Sequence, residues 1–186
     1  RHMAICHVLG FHRIRSCAGN PHGRSPLVAS SAVAERLSIL DGVRERFAAS
    51  TDFTVGLEEE YQLLDPATCR LIPRFNDLVD AAPADLAPHL AGELISREIE
   101  YRTVAHPGFV DAARDLCAGR LAVAALSAAQ GVAIGITGCH PFSRWQDQQI
   151  IDTPHYQRVE DELGYIAWIN NTWSQHLHVG IRDADR

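Results

Sequence analysis

Three consecutive carboxylates, Glu58-Glu59-Glu60, stand inside an otherwise apolar stretch, with Val55 and Leu57 before them and Tyr61, Leu63 and Leu64 after. The flanking residue types, closed by an Asp65-Pro66 turn, predict a strand over residues 52–64. Side chains alternate along a strand, so Glu58 and Glu60 point to one face and Glu59 to the other. Two carboxylates aimed at the same side of a sheet repel one another unless a cation lies between them. A solvated sheet edge is the bland reading of an acidic triplet, and the apolar embedding argues against it here.

The pattern beyond this strand alternates short β signals with long helical ones. Residues 69–73 read as a short partner strand, 75–82 as helix, and the proline-rich segment near residues 83–89 as loop. A second strand is expected over 93–103, broken by His106-Pro107-Gly108. An amphipathic helix over 110–130 leads to a third strand over 132–137. A further helix over 155–173 runs directly into a strand at 176–181. This order predicts an α+β or α/β layer structure. The 186 residues fit one domain or a large part of one, and 46% apolar content supplies a core and excludes intrinsic disorder. The most apolar segment, 121–136, is interrupted by Ser127, Gln130 and two glycines, and reads as a buried helix followed by a strand. It falls short of a membrane helix, so no membrane partner is expected.

Charge divides the chain. Residues 1–50 carry seven arginines against Glu35, Asp41 and Glu45, whereas residues 51–186 carry ten arginines against twenty acids. The expected organisation is a basic leader over 1–50, partly disordered with one helix at about 32–49, followed by a chemical domain over 51–186. An Arg-rich, acid-poor start can also be an organelle transit peptide. The net charge of −6 argues against nucleic acid as a partner. Every positive residue is arginine, which excludes a Walker lysine or a lysine Schiff base within this sequence. Five cysteines without paired CxxC spacing argue against a disulfide framework or a thiolate zinc site, and for a reducing, cytoplasmic setting.

Three more clusters could carry chemistry. Glu98 and Glu100 share a face if their strand is regular, but Glu93, seven residues before Glu100, joins them only through a bulge or loop. The ordinary alternative is exposure, with pairing to Arg97 or Arg102. His176 and His178 are i and i+2 on a strand, so both imidazoles face one way. Such a pair serves metals and also arises by accident. Carboxylates with imidazole and no thiolate suit Mg²⁺ or Mn²⁺, with Zn²⁺ still open. The fourth segment, Gly138-Cys139-His140-Pro141-Phe142-Ser143-Arg144-Trp145, places a thiol beside an imidazole. Adjacent residues on extended chain point apart, so a structural loop is the better reading than a Cys–His nucleophile pair.

Taken together these elements resemble the amino-terminal half of the bacterial glutamate–cysteine ligase type 2, or carboxylate–amine ligase, family. The resemblance rests on TVGLEEEYQLLDP, an acid seven residues before IExxT, GxHPFxxW, TPHYQRVEDELGY and QHLHVG, occurring in family order across about residues 53–183. It implies a glutamine-synthetase-like fold, an antiparallel sheet with flanking long helices, apparently incomplete in this chain. It implies Mg²⁺ ligands at Glu58, Glu60 and Glu100, with Glu93 in the acidic partner position and His176 as a metal or phosphate contact. Glu58, Glu60, Glu100 and His176 would then be the catalytic set. His178, Arg144 and Arg158 would contact nucleotide, with Arg97 and Arg102 further arginine candidates. Cys139 departs from the small hydroxyl residue usual in the family.

The implied reaction is ATP-dependent amide formation. A substrate carboxylate, most simply glutamate's, takes the γ-phosphate of ATP to give an acyl phosphate, which an amine, by default that of cysteine, displaces. A homo-oligomer or a complementary chain is the expected partner, because relatives continue well past the QHLHVG strand. Two rival readings accompany this one: a non-catalytic ligase-like subunit that binds a partner, and a metal-dependent hydrolase using His176, His178 and the acids.

Overall fold

The computed structural model describes residues 40–148, 150, 154–165 and 172–183. They fall into two compact units, Thr54–Val179 and a unit built from residues up to Phe53 with those from Gly180 onward. In the latter, residues 40–49 are helical (α1 as far as it is described). The remainder of the expected 32–49 helix, and the leader up to residue 39, lie outside the described residues. Within this unit Phe53 N–H donates to the Gly180 carbonyl at 2.9 Å, and Arg182 N–H donates to the Asp52 carboxylate at 2.8 Å.

The Thr54–Val179 unit is built on one ten-residue strand, β1 (Val55–Leu64), which is buried along nearly its whole length. It is buried because it is central. On one side β1 pairs with β3 (Glu98–Arg102), which in turn pairs with β2 (Leu90–Ala91). On its other side β1 pairs with two strands in succession, β5 (Gln175–Val179) along its first half and β4 (Ala133–Gly135) along its end. Every pairing is antiparallel, giving an open five-stranded sheet. The solvated-edge reading of the acidic triplet is therefore wrong: β1 has hydrogen-bonded neighbours on both sides.

The odd-numbered residues of β1 face helix α3 (Phe109–Ala129). Val55, Leu57, Tyr61 and Leu63 join Ile99 and Tyr101 of β3 and Ala112, Leu116, Val123 and Leu126 of α3 in the principal core. The acid on that face, Glu59, is held by Arg120 of α3 through two hydrogen bonds of 2.7 and 2.8 Å, and accepts a third from the Tyr61 hydroxyl at 2.7 Å. The buried positions of α3, Ala112, Leu116, Gly119, Val123 and Leu126, recur at helical spacing, while Phe109, Val110 and Leu121 are exposed. The expected amphipathic helix thus covers the sheet with one face and meets water with the other, and its part from Leu121 onward, expected to be buried, is buried only on the sheet side. Helix α2 (Phe75–Asp80) adds Leu78 to this core. A smaller cluster of Leu71, Leu94, Ile95 and Trp173, with Tyr156 and Val159 of α4 (Pro154–Leu163) against it, lies beside Leu64 on the other face.

Several expected boundaries shift. The second strand begins at Glu98 instead of residue 93, because residues 94–97 make a bend and turn. The partner strand at 69–73 reduces to one bridge, Leu64 with Leu71. Helix α4 ends at Leu163, where Gly164 takes φ 52° and its N–H closes back on the Glu160 carbonyl. A glycine at that left-handed position is a common helix stop. Residues 166–171 of the expected longer helix lie outside the described residues, and Thr172 is already in a bridge to Cys139. Strand β2 has no counterpart in the sequence reading, which left its neighbourhood as proline-rich loop.

Candidate functional site

The even-numbered residues of β1 face away from α3, and this is where the acids collect. The register sets Glu60 opposite Glu100 and Gln62 opposite Glu98 across β1 and β3. It sets Glu58 opposite His176, and Gly56 opposite His178, across β1 and β5. One sheet face therefore carries Glu58, Glu60, Glu98, Glu100, His176 and His178. The four carboxylates are 1%, 8%, 3% and 2% exposed, far below what unpaired surface acids show. The alternative of exposed acids is accordingly excluded, and of the pairings expected with it only a long one to Arg102 is present. Arg97 instead bonds the Asp147 carbonyl and the Gln148 side chain, and Arg102 approaches Glu100 only to 3.9 Å.

Two triplets of donor atoms come together closely enough to hold one cation each: Glu58 with His176 and His178, and Glu60 with Glu100 and His176. His176 Nδ1 lies 3.1 Å from Glu58 Oε2, and His178 Nε2 lies 3.0 Å from the same oxygen. Glu60 Oε2 accepts from the backbone N–H and the hydroxyl of Ser174, the hydroxyl at 3.0 Å. That serine also bonds His176 Nε2 at 2.9 Å, so it positions two members of the set. By contrast Glu58 Oε1 and Glu100 Oε1 are buried with no hydrogen-bond partner. A buried, unpaired carboxylate oxygen is costly, and a hard divalent cation is the group that would satisfy an oxygen-rich set with one or two imidazoles. The residues present fit Mg²⁺ or Mn²⁺.

The protonation pattern follows from the same crowding. Burial pushes Glu98 up to about 10, reinforced by the charges of Glu60, Glu93 and Glu100. Burial likewise pushes Glu100 up to about 9, with Glu58 as the nearest like charge. Glu58 moves the other way: burial alone would raise it, but His178 and then His176 hold it below the usual carboxylate range. Carboxyls so close together with opposite shifts mark a site where charge is held for a purpose, as functional sites commonly do.

Glu93 sits in the loop before the 94–97 turn, and its charge is felt by both Glu98 and Glu100. A loop beneath Glu93, the condition under which it could join Glu100, is what the chain forms. Arg144 and Arg158 are both exposed, and Arg144 bonds Gln146 in its own turn. The loop after β4 is structural in character. His140 Nε2 bonds the Cys69 carbonyl at 2.8 Å and its Nδ1 accepts from the Ser143 N–H at 3.0 Å, while Cys139 is exposed. Both imidazole nitrogens are thus committed to backbone, and His140 does not serve Cys139 as a base.

Two residues of the face were not read as part of it. Glu98 was placed beside Glu100 but not carried into the ligand set, although the i, i+2 spacing held the signal. Ser174 carries none, because its two contacts depend on β5 returning to β1.

Comparison with known proteins adds a family. Residues 54–186 match the model of "Glutamate-cysteine ligase family 2(GCS2)". Among curated relatives, a Rubrobacter xylanophilus protein named "Putative glutamate--cysteine ligase 2-2" is 38% identical over 133 residues, covering 72% of this chain and 34% of the relative. A second from the same organism, "Putative glutamate--cysteine ligase 2-3", is 37% identical over 73% of this chain and 38% of its own length. "Putative glutamate--cysteine ligase 2" of Bordetella avium is 33% identical over 75% of this chain and 35% of its own. The chain spans little more than a third of the length of the curated relatives it matches.

Proposed function

The chain belongs to glutamate–cysteine ligase family 2, and on that premise we propose that it supplies the metal-holding face of an ATP- and Mg²⁺-dependent carboxylate–amine ligase. Glutamate is the proposed carboxylate substrate and cysteine the default amine, with Mn²⁺ able to replace Mg²⁺. The observation that carries this reading is the single sheet face on which four buried glutamates and two imidazoles converge while two carboxylate oxygens stay unpaired. The open antiparallel sheet backed by α3 supports a glutamine-synthetase-like fold. The proposed organisation is a leader over 1–50 and a ligase segment over 51–186, in a cytoplasmic setting, with a second copy or a complementary chain as partner. No helix among the described residues is long and apolar enough to cross a membrane.

In this reading Glu58, Glu60, Glu100 and His176 hold the metal, with Glu93 and His178 beside them. Held by these residues, Mg²⁺ would supply positive charge that offsets the repulsion between ATP and a substrate carboxylate. The chain's own residues supply rigidity. Ser174 fixes Glu60 and His176 from the strand entering β5, and Glu59 clamped by Arg120 locks β1 from behind. The carboxylate oxygen of glutamate attacks the γ-phosphorus of ATP, ADP leaves, and the amine then displaces phosphate from the acyl phosphate with loss of a proton.

A hydrolase reading has one observation in its favour, the convergence of His176 and His178 on a single oxygen of Glu58. One assay separates the possibilities: ADP release from Mg·ATP with glutamate and cysteine together and each omitted in turn. Release that requires both is expected. Metal-dependent hydrolysis indifferent to ATP would replace the ligase with the hydrolase. A folded, metal-binding sample with neither activity would mean that the chain needs a complementary one or is a non-catalytic ligase-like subunit.

A further inference from the structure

Ser174 stands just ahead of β5, and its hydroxyl lies between two side chains of the carboxyl face. The one oxygen is 3.0 Å from Glu60 Oε2 and 2.9 Å from His176 Nε2. A hydroxyl has one hydrogen to give and lone pairs with which to accept. The Glu60 carboxylate is the stronger acceptor, so the hydrogen goes there and only lone pairs face the imidazole. The contact to His176 is then a hydrogen bond only if Nε2 carries the hydrogen. The reverse arrangement, with the hydroxyl donating to a bare Nε2, would set an oxygen lone pair 3.0 Å from a carboxylate oxygen.

The strand register decides what the other ring nitrogen meets. His176 stands directly opposite Glu58, so its near nitrogen, Nδ1, is the one that reaches Glu58 Oε2, at 3.1 Å. His178 stands opposite Gly56 and reaches the same oxygen with its far nitrogen, Nε2, at 3.0 Å. His176 belongs to both donor triplets of this face, and which of its nitrogens can ligate is set by the hydrogen bond the other one makes. Resting on the metal-binding reading above, we propose that Ser174 is a positioning residue: it keeps the hydrogen of His176 on Nε2, so that the ring ligates through Nδ1, beside Glu58 and His178. A ring held by its second N–H keeps its orientation and is a more basic ligand.

The test is long-range proton–nitrogen NMR of the whole chain labelled with nitrogen-15 histidine, which tells a bare ring nitrogen from one that bears hydrogen. Wild type, Ser174→Ala and Ser174→Thr are compared at one pH, without metal and through a Mg²⁺ titration, and His176→Gln identifies the signals of that ring. Ser174 is exposed, and Ser174→Ala keeps the backbone N–H that bonds Glu60, so the tautomer is read without loss of that bond. Wild type and Ser174→Thr are expected to carry hydrogen on His176 Nε2, with Mg²⁺ moving the Nδ1 signal. Ser174→Ala is expected to show a bare Nε2 in the metal-free chain and about tenfold weaker Mg²⁺ binding, the scale seen when a group that orients a metal-bound histidine is lost. A bare Nε2 in wild type, or Ser174→Ala with the wild-type spectrum and Mg²⁺ affinity, would overturn the role of Ser174 and leave the metal-binding reading standing. Folded wild type in which Mg²⁺ moves no histidine signal would overturn both.

Discussion

At the scale of single residues, the carboxyl face should make stability depend on pH in a direction opposite to that of most proteins. Glu98 and Glu100 are pushed up to about 10 and about 9, so between the ordinary carboxylate range and those values the folded chain holds protons that the unfolded chain has released. Stability of the metal-free protein therefore falls as pH rises through that window, each group contributing a slope approaching about 1.4 kcal/mol per pH unit. Glu58 acts at the other limit. Its value is depressed, so its contribution is present above the unfolded value and is lost as pH falls through the folded one. Urea unfolding in EDTA at intervals from pH 5 to 9 should show a declining midpoint, and saturating Mg²⁺ should flatten the decline. A midpoint that holds steady from pH 5 to 9 in EDTA would show that these acids are ionised in the native state. That Glu58 and Glu60 share a face was legible from strand alternation alone. The burial that gives them unusual protonation was not, because it depends on β3 and β5 arriving from residues 40 and 118 positions away.

At the scale of elements, α3 and the sheet are joined at a point that tolerates no side chain. A Cβ on Gly119 would come within 2.1 Å of the Tyr101 ring, far inside contact distance. That ring cannot move freely: its hydroxyl donates to Asp115 at 2.8 Å, Asp115 also holds His106 at 2.6 Å, and His89 stacks on it at a centroid distance of 5.4 Å. Gly119→Ala should accordingly destabilise the fold by about 1–3 kcal/mol, as overpacking does elsewhere, against the small gain an alanine gives an exposed helix. Chemical denaturation checks this, and a variant as stable as wild type would mean the helix can lift away from Tyr101. The existence and order of α3, β1, β3, β4 and β5 were legible because each carries its own apolar period. Strand β2 was not, since two residues have no period and Leu90 and Ala91 become a strand only by pairing with Tyr101 and Glu100. The end of α4 carries a signal in Gly164, which the expected helix over 155–173 runs through.

At the scale of the whole molecule, α3 covers one face of the sheet and β5 lies along an edge of it. Among the described residues β5 pairs with β1 alone, which leaves a row of backbone donors and acceptors along its other side. Its side chains divide by function. His176 and His178 turn to the carboxyl face, while Leu177 and Val179 stand opposite buried Leu57 and Val55 yet remain 58% and 49% exposed, past the reach of α3. An edge strand with an apolar outer face is a template for a further strand, and natural sheets blunt such edges with charge. A second copy of this chain offers a self-complementary match, because antiparallel pairing of β5 with itself is two-fold symmetric. Sedimentation of the chain over a range of concentrations should then show reversible dimer formation, and Leu177→Lys or Val179→Lys should shift it to monomer. The histidines point to the other face, so Mn²⁺ uptake should survive either substitution while association does not. A monomer at every concentration would return β5 to the role of a bare edge. Loss of metal binding together with association would mean the carboxyl face itself is completed by the partner.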